Sequence, residues 1–154
     1  MANRVTEEQI INKLATHART IDGVRMAYGF AQNPDGLTPA NLPAFVFFPA
    51  ESTHESKAHF NVWTNTFNIT GLLFVISRMD KGGTLRYIEN DAIPFMQKIR
   101  AKFQEQAVYE DLLSLGLQKA PLVSLRYGAG GNLLTYNSTP YVGIICQWQF
   151  KETA

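Results

Sequence analysis

Cysteine is all but missing from this chain of 154 residues: Cys146 stands alone. One thiol allows neither an internal disulfide nor a cysteine-based zinc site. Charge of either sign is also scarce. Lys plus Arg comes to 14 and Asp plus Glu to 13, a net +1. That balance argues against a polybasic nucleic-acid tail, an acidic tail and a disordered chain. Long apolar runs are absent too. Leu72 to Ile76 is five residues, against about 20 for a membrane-spanning helix. The opening residues, Met1 to Glu8, hold no apolar core, so a secretory leader is not expected. What remains is 45% hydrophobic and 18% charged, the balance of a soluble globular chain. Its length fits one domain. A chain of this size buries roughly two thirds of its unfolded surface without a covalent staple.

The first element is a helix with a clear start. Thr6 and Gln9 form a capping box, and Val5 with Ile10 fits a hydrophobic staple. The stripe Ile10, Ile11, Leu14, Ala15, Ala18 and Ile21 follows one helical face, and Asp22-Gly23 stops it. Val24, Met26, Tyr28 and Phe30 then alternate with Arg25, Ala27 and Gly29, which predicts a half-buried strand. Asn33 to Pro43, with three prolines and a glycine, is a surface loop.

Ala44 to Phe48 reads as a short buried strand ended by Pro49. Polar residues from Glu51 to His59 read as a hairpin tip. Phe60 to Ser77 is a long strand rich in β-branched and aromatic residues. Its outer half is amphipathic, its base LLFVI is core, and Gly71 between them suggests a bulge. The prediction is a long β-hairpin arm.

Asp80 to Gly83 is a turn. Thr84 to Ala107 has helical spacing, with Ile88, Ala92, Phe95 or Met96, Ile99 and Phe103 inward. Pro94 interrupts it, so the helix either starts near Ala92 or bends there. Tyr109 to Leu115 adds a further helical turn before Gly116. Leu122 to Tyr127 and Leu133 to Tyr136 are strands around the Gly128 to Gly131 turn. Val142, Ile144, Cys146, Trp148 and Phe150 then alternate with Gly143, Ile145, Gln147, Gln149 and Lys151, the clearest strand in the chain. This order predicts a single α+β domain: a mainly antiparallel sheet, two main helices packed on one face, and the arm.

The search for chemistry yields little. His54 and His59 flank HESKAH, but a zincin pair needs four-residue spacing. Five residues put them about 140° apart on a helix. Cys146 lies in phase with an apolar strand face, where a free thiol packs as a small hydrophobe. The Gly128 to Gly131 run precedes a strand, whereas a phosphate-binding glycine loop must precede a helix. Lys98, Arg100 and Lys102 have acids nearby and read as a solvated face. Glu7/Glu8 and Glu110/Asp111 read as helix starts. The sequons at Asn68 and Asn137 are idle without secretion. No catalytic, cofactor or metal residue emerges, and an enzyme is not expected. What stands out is mechanical, since a long strand edge invites pairing with another chain.

The order of segments resembles the tail terminator, or tail completion, proteins of long-tailed bacteriophages. The resemblance covers most of the chain. It starts at the first helix with Ile21-Asp22-Gly23-Val24-Arg25 and passes to Leu42-Pro43-Ala44-Phe45-Val46 and Pro49-Ala50-Glu51. It continues through Trp63 to Ile69 and Pro94-Phe95 to Tyr141-Val142-Gly143-Ile144. It implies a structural virion subunit forming a closed six-fold ring on the head-proximal end of the tail tube. The ring would end tube polymerisation and join the tail to the head connector, a head-completion protein. DNA would pass through the lumen without specific binding, and the subunit would occupy the host cytoplasm before assembly. The arm from Glu51 to Thr70 and the loop from Asn33 to Pro43 are the candidate contacts. Their residues are His54, His59, Trp63, Asn65, Phe67, Asn68 and Leu37. Two other classes remain open: another neck subunit, such as a head-completion or stopper protein, and a small-molecule-binding domain with a pocket around Phe45, Phe47, Phe67, Phe74 and Trp148.

Overall fold

The computed structural model describes residues 5–57, 62–77, 92–117, 122–128 and 134–153. It is an α+β fold: among the described residues, three helices and a mostly antiparallel sheet of six strands. Helix α1 spans Glu7–Ala18. The Thr6 hydroxyl accepts from the Gln9 amide and the Gln9 side chain accepts from the Thr6 amide, closing the expected capping box. Val5, Ile10, Ile11, Leu14, Ala15 and Ala18 are buried. Ile21 is buried too, but lies past the helix end in a turn that closes on Gly23, with φ at +92°.

The predicted strand from Val24 to Phe30 shrinks to β1, Met26–Ala27, paired parallel to the next strand. Its alternation is also inverted. Ala27 and Gly29 face inward, while Met26 and Phe30 are exposed. The reason is close approach. A Cβ on Gly29 would stand 2.6 Å from Asn12 Oδ1, and that same oxygen accepts from the Phe30 amide. Only small residues fit beneath α1 here. The loop that follows carries a short 3₁₀ turn, Pro39–Asn41, and a cis Leu42-Pro43 bond.

Strand β2 spans Ala44–Lys57 and β3 spans Val62–Ser77. Pro49 does not end β2. The strand runs through it, with one register shift between Pro49 and Glu51. Along an edge a missing N–H removes no ladder bond, and β1 pairs only with Ala44 and Phe45. The segment from Glu51 to Lys57 is therefore strand rather than hairpin tip. Gly71 is not a bulge either, since it pairs in register with Phe47 and Cys146. Its hydrogen side leaves room for the Trp148 ring, which a Cβ would meet at 2.6 Å. The irregularity in β3 falls instead between Phe74 and Ile76.

Helix α2 spans Ile93–Gln104 and α3 spans Gln106–Leu113. Pro94 lies in the first turn of α2, where its lost donor has no intrahelical partner anyway. Extended backbone at Glu105 divides the expected single helix from its continuation. The turn expected at Asp80 to Gly83, the residues expected to be helical before Ala92 and the glycine turn expected after Gly128 lie outside the described residues.

Strand β4 spans Leu122–Gly128, β5 spans Leu134–Tyr136 and β6 spans Thr139–Thr153. A two-residue turn with positive φ at Asn137 and Ser138 joins β5 to β6, the backbone twist that tight hairpins prefer. The sheet order is β1-β2-β3-β6-β4, with β5 beside β6. Val142, Ile144, Cys146, Trp148 and Phe150 are all buried against the helices, as the alternation predicts. They pack with Phe45, Phe47, Ile69, Leu73, Ile99, Phe103 and Leu112.

Candidate functional site

The arm is a sheet extension rather than an isolated ribbon. The β2/β3 pairing continues to Lys57 opposite Val62, and β6 accompanies β3 as far as Thr64 opposite Thr153. Its two faces differ. On the helix side, Phe67 and Phe150 join the core. Beyond them a buried carboxylate ties three parts of the chain together. Glu152 accepts from the Val5 amide at 3.1 Å and from Asn65 Nδ2 at 3.3 Å. The last strand, the arm and the entry to α1 are thus joined by one side chain. A buried charge needs such donors.

The opposite face of the arm carries polar groups. Gln149 Nε2 donates to Asn68 Oδ1 at 3.3 Å, and Ser124 Oγ donates to Gln147 Oε1 at 3.0 Å. Thr66 and Thr70 lie in register with Lys151 and Gln147. Towards the base, this face turns apolar around Ala44, Val46, Phe74, Leu134 and Tyr141. There the proline-rich loop covers it. Leu37 and Leu42 pack on that cluster, the Tyr136 hydroxyl donates to the Pro34 carbonyl, and Asn137 Nδ2 donates to the Asp35 carbonyl at 2.8 Å. The rings of Tyr136 and Tyr141 meet Phe74 edge-on at 5.4 Å and 5.3 Å.

The candidate contact residues therefore separate. Asn65 and Asn68 lie on opposite faces, one bonded to Glu152 and the other to Gln149. Phe67 is 6% exposed, so its ring belongs to the chain's own core. Leu37 is half-buried under the loop it anchors. His54 and Trp63 take register positions opposite Asn65 and Ser56. His59 lies outside the described residues.

The aromatic set proposed for a pocket also divides. Phe45 and Phe47 stack at 5.2 Å, and Trp148 lies 5.7 Å from Phe47 and 5.2 Å from Phe103. Phe74 is on the other side of the sheet. Trp148 Nε1 has no hydrogen-bond partner among the described residues. Burial pushes the Cys146 thiol up, away from the thiolate form a nucleophile needs.

Sequence reading missed one titratable cluster. Asp111 lies in the second half of α3 rather than at a helix start. It accepts from Lys13 Nζ at 2.9 Å and pairs with His17 Nε2 at 2.6 Å. The hydrogen bonds from Lys13 and then His17 hold its carboxyl below the usual range. The four-residue spacing of Lys13 and His17 put both on one face of α1, the signal that could have found them. The basic cluster on α2 is ordinary surface. Lys98 reaches Asp22, Lys102 pairs with Glu105, and Arg100 is exposed. Among the described residues no group of three or more His, Cys, Asp or Glu is placed to hold a metal ion, and no helix is long and apolar enough to cross a membrane.

In comparison with known proteins, the chain matches no family model and no curated protein.

Proposed function

We propose that this chain is a structural subunit of the neck of a long-tailed bacteriophage, a tail terminator. Copies join head to tail into a closed ring on the head-proximal end of the tail tube. One ring face binds the tube and the other receives the head-completion protein. A head-to-tail contact makes a ring when its rotation closes. The observation that carries the reading is the long strand β2, of which only the first two of 14 residues are paired on the outer side among the described residues. An edge of that length is what a chain built for assembly presents. The order of segments from Ile21-Asp22-Gly23 to Tyr141-Val142-Gly143-Ile144 supports it by resemblance. The near-neutral charge suits a channel that DNA crosses without sticking, because tight DNA binding comes from phosphate neutralisation.

Electron microscopy of particles assembled without this gene tests the proposal. Overlong tails detached from full heads are the expected result. Tails of normal length that fail to join heads would move the role to a head-completion or stopper subunit. Normal virions would sink the structural reading.

A further inference from the structure

The sheet has two lateral edges. On one side β2 is unpaired from Val46 to Lys57 among the described residues, because its pairing with β1 ends at Phe45. On the other side β4, seven residues long, pairs only with β6 among the described residues. Between these edges the long strands β2, β3, β6 and β4 alternate in direction without exception. Their number is even. Turn a second copy about an axis along the strands, and its β4 arrives beside the first copy's β2 running the opposite way. The antiparallel pattern then continues unbroken, with the helices of both copies on the same side.

We propose that β2 of one copy pairs with β4 of the next, so that the sheet continues from subunit to subunit. Backbone groups supply most of the contact, since β4 and the part of β2 beyond Pro49 each present a row of N–H and C=O groups. Closing a sheet on itself requires tilt and stagger at the junctions. The run from Val46 to Lys57 is longer than β4, so β4 can seat part-way along it. Charge fits this choice of partner. The outer part of β2 carries Glu51 and Glu55 in its sequence, and β4 carries the exposed Arg126. Pairing β2 with a second β2 in the register that places Glu51 opposite Glu55 would instead set acids beside acids, which destabilises a sheet. It would also leave every β4 edge open.

The inference rests on the ring reading for its partner, a second copy of this chain. Hydrogen exchange of the full chain, followed from micromolar to millimolar concentration beside native mass spectrometry, tests it. The expected result is an oligomer in which amides of 46–57 and 122–128 both exchange at least about tenfold more slowly than in the monomer. Amides of β3 and β6 are paired in either state and change little. Arg126→Glu weakens association by about two- to fivefold, the range of one cross-strand charge pair. Adding Glu51→Lys and Glu55→Lys restores it. Protection of 46–57 alone would reveal a two-fold β2 dimer and overturn the proposal. An oligomer with neither edge protected, or a monomer at every concentration, overturns it as well. The two readings fail differently. Normal virions without the gene remove the ring, whereas overlong tails with unprotected edges remove only the strand pairing.

Discussion

The two faces of the central sheet solve different problems with the same strands. Along β6, Val142, Ile144, Cys146, Trp148 and Phe150 all enter one core under three helices. Their neighbours Gln147, Gln149 and Lys151 form an open polar surface. Among the described residues, the second face acquires a lid only at the base, the proline-rich loop held by Tyr136 and Asn137. Stability is thus concentrated on one side, and the other is left available over the outer half of the sheet. A period of two residues makes this division possible in a single strand. It also makes the division testable by substituting residues that are adjacent in sequence.

The largest effect belongs at the centre of the covered face. Trp148 is 1% exposed, lies against Phe47 and Phe103, and fills the space that Gly71 leaves open. Trp148→Ala is expected to cost about 3–5 kcal/mol, the loss of a large ring plus the cavity left behind. The midpoint of urea unfolding measures it. A loss below about 1 kcal/mol would mean that this face is not the principal core.

A smaller effect is expected where the covered face reaches the arm. Glu152→Ala removes the acceptor shared by the Val5 amide and Asn65. Hydrogen bonds to a charged group contribute roughly 1.5–3 kcal/mol, so a loss in that range is the expectation. Glu152→Gln keeps an acceptor and the volume, and should lose less. Hydrogen exchange sharpens the comparison. In Glu152→Ala the α1 entry and the outer part of β3 should exchange faster, while the β3/β6 pairing near Leu73 keeps its protection. Uniform acceleration would show that Glu152 supports the whole domain rather than the junction of arm and helix.

Much of the covered face was legible from local pattern. The Thr6/Gln9 box marks α1, and the strict alternation from Val142 to Phe150 assigns β6 and its inward set. What was not legible depends on neighbours distant in sequence. Alternation alone does not say which phase of Val24 to Phe30 faces inward. The crowding of Asn12 against Gly29 decides it. Pro49 ends a central strand but not an edge, and edge status comes from the shortness of β1. Gly71 has its reason in Trp148, far along the chain. Of the candidate contacts, the arm and loop were visible as long and polar. Phe67 looked available only because the helix that covers its face cannot be placed from the strand's own sequence. Asp111 gains its partners across the helix pair, a contact that local charge counting does not reveal.

The smallest effect is expected one residue away from one of the largest. Phe47 and Phe48 are adjacent in β2, yet one is 3% exposed and the other 38%. Phe47 packs on Phe45 and Trp148. Phe48 stands opposite Thr70 on the uncovered face, just beyond the reach of the loop cluster. Threonine favours strands, so Phe48→Thr retains the local conformation and deletes mainly exposed apolar surface. Its expected cost is within about 0.5 kcal/mol, as for surface positions generally. Phe47→Thr removes a buried ring and places a hydroxyl in the core, and should cost at least about 3 kcal/mol. Comparing the two unfolding midpoints reads the face assignment directly, because side-chain chemistry and strand are held constant. If Phe48→Thr cost more than about 2 kcal/mol, the outer face would have to be covered at that point within the monomer. The open half of the sheet would then begin further out along the arm, at Asn68 and Gln149.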